Sequence, residues 1–183
     1  MSIELTVLPP SVRDACIELR GGLESLLGQD LVALWTYGAA TFPDSPNRLG
    51  DIDTHGILVS RPTQEVATAI DQLHVATAGA TGIEWDSWYV VESDAQRAEP
   101  PAHAFRANLV DGAWSLHRAH WLAGQYVQLY GRSPEEIVQP PTWSEIREGL
   151  GGELDFIDRI LADERDDAGH SAFITLNACR IIY

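Results

Sequence analysis

The chain has no lysine, one methionine and only two cysteines in 183 residues. All twelve basic residues are therefore arginines, set against 27 acidic residues for a formal net charge of −15. A surface this acidic repels phosphate backbones, which disfavours a role in binding bulk DNA or RNA. It attracts cationic small molecules and keeps the chain soluble. Cys16 and Cys179 lie near opposite ends with no ligand-like spacing, a usage compatible with a reducing cytoplasm. Also missing is any run of ~20 apolar residues, the length a membrane-spanning helix needs. The opening stretch, MSIELTVLPPSVRDACIEL, has neither a basic start nor an apolar block ending in small residues, so it is not a secretory signal. A cytoplasmic protein with no membrane partner is expected.

What is present is a folded chain, with 45% hydrophobic residues. Before about residue 100, strand-like and helix-like segments alternate. Residues 10–27 carry apolar positions at helical spacing and open on Pro-Ser. LVALWT (31–36) reads as a buried strand running into the small-residue turn Tyr37-Gly38-Ala39-Ala40, and a polar loop with two prolines follows. DIDTHGILVS (51–60) is the next strand, 62–76 a helix, 79–82 a small-residue loop, and IEWDSWYVV (83–91) a third strand. The segment 94–102 is the best linker candidate. Beyond it the pattern reads as helical: 112–130 with Gly131 as C-cap, a short helix at 133–137, 144–163, and a last helix from about 169. Two units follow from this, 1–100 and 101–183. Because the chain stops at CRIIY, inside an apolar helical segment, the second is expected to be truncated.

Three pieces in a fixed order carry the chemistry. A strand runs into a turn on Gly38; thirteen positions later Asp51-Ile52-Asp53 opens a strand; about thirty residues on, a strand carries Glu84 and Asp86. Residues i and i+2 of a strand project to one face, so Asp51 and Asp53 present their carboxylates together, as do Glu84 and Asp86. Adjacent carboxylates repel unless neutralised, and Mg²⁺ is the hard cation suited to oxygen ligands and triphosphates. If the third strand lies beside the second, a third carboxylate completes a site able to hold two such ions. The glycine turn offers backbone N–H groups to phosphate without side-chain obstruction.

The stretch LWTYGAATFPDSPNRLGDIDTHGILV resembles the signature of the polymerase β-like nucleotidyltransferase superfamily. Within it, the aminoglycoside adenylyltransferases that modify streptomycin and spectinomycin are most similar. The resemblance implies an α+β (α/β) fold, with a nucleotidyltransferase fold of short mixed sheet followed by a C-terminal helical bundle. It implies transfer of AMP from ATP to a hydroxyl of a small molecule, with Mg²⁺ held by Asp51, Asp53 and Asp86. IEWDSWYVVESD resembles the family strand bearing the catalytic base, which places Asp86 at the base position with Glu84 able to assist or substitute. Gly38 and Ala39 fall where the family contacts phosphate. FITLNACRIIY resembles the helix from which an arginine, here Arg180, reaches the triphosphate. Asp166 and Asp167 stand about where the family contacts its cationic drug. The chain departs from the pattern in three places: Ala39 replaces a serine, Asp86 replaces a glutamate, and the family lysine is missing. These departures leave open a catalytically silent nucleotide-binding or regulatory relative, and a nucleotidyltransferase with a non-drug acceptor.

Two further features have competing readings. His117-x-x-His120 on the expected helix could hold a metal, but no cysteine or carboxylate is spaced to complete a zinc site, so a surface or helix-packing pair is preferred. His55, two residues after Asp53, reads equally as a supporting hydrogen-bond partner or a core histidine.

Overall fold

The computed structural model describes residues 4–41, 51–106 and 108–161. Its centre is a four-stranded mixed sheet in the order β3-β2-β1-β4. The strands are β1 (Leu31–Tyr37), β2 (Asp51–Leu58), β3 (Glu84–Val91) and β4 (Val127–Gly131), with helices α1 (Pro10–Leu27), α2 (Gln64–Thr81), α3 (Glu92–Ala95), α4 (Trp114–Leu122) and α5 (Trp143–Leu161) around them. β1 pairs antiparallel with both β2 and β4, whereas β2 and β3 are parallel, with α2 as the crossover between them.

α1 forms because Val12, Ala15, Cys16, Leu19, Leu23 and Leu27 recur at helical spacing and all bury. Its proline sits at the first turn, where no backbone donor is lost. In α2 the Thr63 hydroxyl accepts from Val66 N–H at the start. Gly82, in the left-handed region at φ 69°, ends the helix by donating to the Ala78 carbonyl at 2.7 Å. The loop expected at 79–82 is thus corrected: Gly79 lies inside the last turn, and only Gly82 does the breaking. Together, α1 and α2 cover one face of the sheet with Leu34, Ile52, Leu58, Tyr89 and Val91. The opposite face carries Trp35, Tyr37, Ile57 and Val90 and is covered by Trp114 and Trp121 of α4 with Ile137 and Val138.

The helix expected over 112–130 is also corrected. α4 ends at Leu122; Gly124 at φ 86° turns the chain, and Val127–Gly131 becomes β4 on the outer edge of β1. Gly131 is therefore no helix cap: it sits at φ 66° with its α-carbon so close to the Val32 carbonyl that a Cβ would lie 1.9 Å from that oxygen. Part of the linker expected at 94–102 is ordered too, since α3 reaches Ala95 and Ala102 bridges Val110.

Arg118 of α4, fully buried, holds this side of the molecule together. It donates to the carbonyls of Gln139 and Ala98 at 3.0 and 3.3 Å, pairs with Glu145 of α5, and stacks over the Trp114 ring. Among the described residues no helix is long and apolar enough to cross a membrane. Arg180, Asp166, Asp167 and the expected last helix lie outside the described residues.

Candidate active site

β1 is buried on both faces, as its uninterrupted apolar run requires, and it delivers Tyr37 opposite Asp53 of β2. There the chain swings away through Gly38 at φ 69° into a short 3-10 turn, Gly38–Thr41, closed by the Thr41 hydroxyl donating to the Gly38 carbonyl at 2.8 Å. A Cβ on Gly38 would fall 1.8 Å from Asp53 Oδ2. Only glycine lets that carboxylate lie where it does, and the Thr36 hydroxyl fixes the strand beneath it by donating to the Asp53 carbonyl at 2.8 Å.

The parallel register sets Asp51 beside Glu84, Asp53 beside Asp86 and His55 beside Trp88. Paired strands run about 4.8 Å apart, so Asp51, Asp53 and Asp86 share one face at neighbouring positions, next to the Gly38 turn. Asp86 remains exposed at its outer side, yet partial burial raises its pKa and the negative charge of Asp51 raises it further, against an opposing pull from His117. That mutual repulsion is what a divalent cation relieves, and the all-oxygen donor set fits Mg²⁺. Glu84 stands exposed at the start of β3 on the same face. Ala39 sits in the turn directly after Gly38, half-buried, with no hydroxyl to offer.

Asp86 also borders a cleft of about 230 Å³ between α2, β3 and the segment around 103–106. Trp85 and Phe105 line it, and an Asp71–Arg106 ion pair closes its rim.

Behind the carboxylates lies a second polar group that sequence reasoning did not assemble. His55 Nε2 and His117 Nδ1 both meet Asp111 Oδ2, at 3.2 and 3.0 Å. His117 packs on Trp121 and meets Asp111, six residues earlier, while His120 is exposed; the third member, His55, arrives from β2. Burial leaves His55 neutral, with its pKa lowered to about 4 despite the Asp111 carboxylate. Burial opposes the proton on His117 as well, but the Asp111 charge and hydrogen bond prevail and raise its pKa. Asp111 is held below the usual carboxylate range by the two histidines, chiefly His117, against the effect of its own burial. Tyr37 stands between the two groups. Burial and then the charges of Asp53, Asp111 and Asp86 hold its hydroxyl firmly protonated.

No protein-family model matches the sequence, and no curated protein matches it. Among solved structures, a sheet and helices of this arrangement define a nucleotidyltransferase fold. The spectinomycin adenyltransferase AAD(9) of Enterococcus faecialis, solved with ATP and spectinomycin, is similar with a TM-score of 0.73 at 12% identity, over 92% of this chain and 74% of that one. A HEPN toxin in complex with MNT antitoxin from Shewanella oneidensis gives a TM-score of 0.33 at 12% identity, over 79% of this chain and 91% of that one. A toxin–antitoxin structure with AMP-PNP gives 0.36 at 14% identity, over 78% and 93%. The last two are too distant in geometry to inform the site; the first shows the fold.

Proposed function

We propose that the chain is an Mg²⁺-dependent nucleotidyltransferase that moves AMP from ATP to a hydroxyl of a cationic, aminoglycoside-like small molecule. The observation that carries this reading is the register of β2 and β3, which sets Asp51, Asp53 and Asp86 on one face beside a glycine turn. The likeness in fold to an adenyltransferase solved with ATP and spectinomycin supports it.

In this reading Asp51 and Asp53 hold Mg²⁺, with Asp86 as a third ligand or as the general base, and Glu84 assists. Bound there, the metal supplies charge neutralisation for the triphosphate and the leaving group. The acceptor hydroxyl gives its proton to Asp86. The acceptor oxygen then bonds to the α-phosphorus as the bond to the bridging oxygen breaks, and pyrophosphate leaves with that electron pair. Backbone N–H groups at Gly38 and Ala39 orient the phosphates. Arg180 neutralises triphosphate charge, and Asp166 and Asp167 attract the acceptor. The reaction sits on the sheet face beside the Gly38 turn, in the cytoplasm, with no nucleic acid or membrane as partner.

The test is pyrophosphate release from Mg-ATP across a panel of aminoglycosides and other hydroxylated amines. Asp51→Asn and Asp53→Asn should each lower release by roughly 100-fold or more; retained turnover in either folded variant refutes the assignment. Ala39, which lacks the hydroxyl, favours a second reading, a silent nucleotide-binding relative. It predicts ATP binding with no pyrophosphate released for any acceptor, whether drug or metabolite.

A further inference from the structure

We propose that His55, Asp111 and His117 form a second metal site, beside the carboxylates on the same face of the sheet and suited to a borderline divalent cation such as zinc. One ligating atom from each residue lies within 4.8 Å of the other two. Two of the three separations, 3.2 and 3.0 Å, are already near the ~3.3 Å between neighbouring ligands of a tetrahedral ion with bonds of about 2.0–2.1 Å. Little beyond a closer approach of the two imidazoles is needed.

Three aspects of the surroundings fit a metal centre. First, the ligands come from distinct parts of the fold: β2, the turn before α4, and α4 itself. An ion there would fasten the strand bearing Asp51 and Asp53 to the helix that covers it. Second, the carboxylate is oriented from outside, because Asp111 Oδ1 accepts from the Ala113 N–H at 3.1 Å, leaving Oδ2 to face the imidazoles. Third, the shell is aromatic and dry. Trp121 lies 4.8 Å from the His55 ring centre and stacks at 5.7 Å on His117, while Tyr37, Trp88 and Trp114 enclose the rest. Side-chain exposure is 0% for His55, 2% for Asp111 and 21% for His117, so of the three ligands His117 is the one that meets solvent, which can supply a fourth ligand there.

Donor chemistry separates the two sites. Two imidazole nitrogens and one oxygen suit zinc, whereas the all-oxygen set at Asp51, Asp53 and Asp86 suits magnesium. The proposal does not rest on the transferase reading, and its test removes that site deliberately.

The untagged full chain carrying Asp51→Asn and Asp53→Asn would be dialysed against chelator and titrated with Co²⁺ and then Zn²⁺. The expected result is one equivalent of Co²⁺ with the strong visible absorption of a four-coordinate ion, displaced by Zn²⁺, and a thermal midpoint that rises with Zn²⁺. Adding His117→Gln, or separately Asp111→Asn, should weaken binding by roughly 100-fold or more, since losing a ligand outweighs the ~10–100-fold cost of losing an outer partner. Far-UV circular dichroism establishes that each variant is folded. Absence of Co²⁺ and Zn²⁺ binding in the parent double variant overturns the proposal. So does undiminished binding in either folded ligand variant, which would leave the cluster as a hydrogen-bonded ion pair only.

Discussion

Replacing Gly38 with alanine tests whether this glycine exists to make room for a carboxylate. Two costs are separable. An alanine held at φ 69° pays about 1–2 kcal/mol for the left-handed backbone. Its Cβ also starts 1.8 Å from Asp53 Oδ2, so the carboxylate must retreat by about 1.6 Å to reach ordinary contact at 3.4 Å. An off-rotamer side chain adds about 0.5–1.5 kcal/mol. The folded protein should therefore lose about 2–3 kcal/mol in urea unfolding, enough to measure and too little to abolish folding. In the transferase reading, a displacement of this size at Asp53 should reduce pyrophosphate release by roughly 100-fold. The decisive measurement is a double-mutant cycle with Asp53→Ala, which removes the obstructed group. In that background Gly38→Ala should cost only the backbone strain, leaving a coupling of about 1 kcal/mol. An equal cost in both backgrounds refutes the argument, because the glycine would then serve the turn alone.

Acid should unfold the protein through its buried histidines. Burial is the leading cause that lowers His55, His74 and His103 to about 4. A depressed folded pKa gives stability that is complete above the unfolded value near 6.5 and is lost as pH falls through 4. His117, raised, works the other way and keeps its contribution below 6.5. The net near pH 5 is about three protons taken up on unfolding, a slope of up to about 4 kcal/mol per pH unit that urea titrations between pH 7 and 4.5 should show. Separately, Arg118→Ala should destabilise by about 3 kcal/mol, because it strips the Gln139 and Ala98 carbonyls of their donor and opens space beside Trp114. Thermal unfolding checks this, and a loss under about 1 kcal/mol would show the arginine to be replaceable by solvent.

The carboxylate face was legible in the sequence because its signals are local: an apolar run, a glycine, and acidic residues two apart at the start of a strand. Parallel pairing alone leaves the register open, so the setting of Asp53 beside Asp86 is seen only in the fold. β4 was not legible. Leu116, Leu122, Val127 and Leu129 continue a helix-like spacing across α4 into the strand, and only Gly124 and the β-prone Val127 and Tyr130 spoke against it. Asp111 was missed for a different reason. It meets His55 across 56 positions of sequence, and before the fold is known nothing local distinguishes it from a helix-capping aspartate in an Asp-Gly turn.

β4 also has a consequence for how the chain is made. β1, the second strand from the sheet's edge, finds its outer partner only when residues 127–131 arrive, roughly ninety residues after it leaves the ribosome. Until then an apolar strand with unpaired N–H and C=O groups stands open to pairing with other chains. The early α1–β1–β2–α2–β3 segment carries the carboxylates but cannot shelter its own edge. Cutting after it should yield a template for aggregation, so a shorter fragment ending at β3 is closed to this architecture.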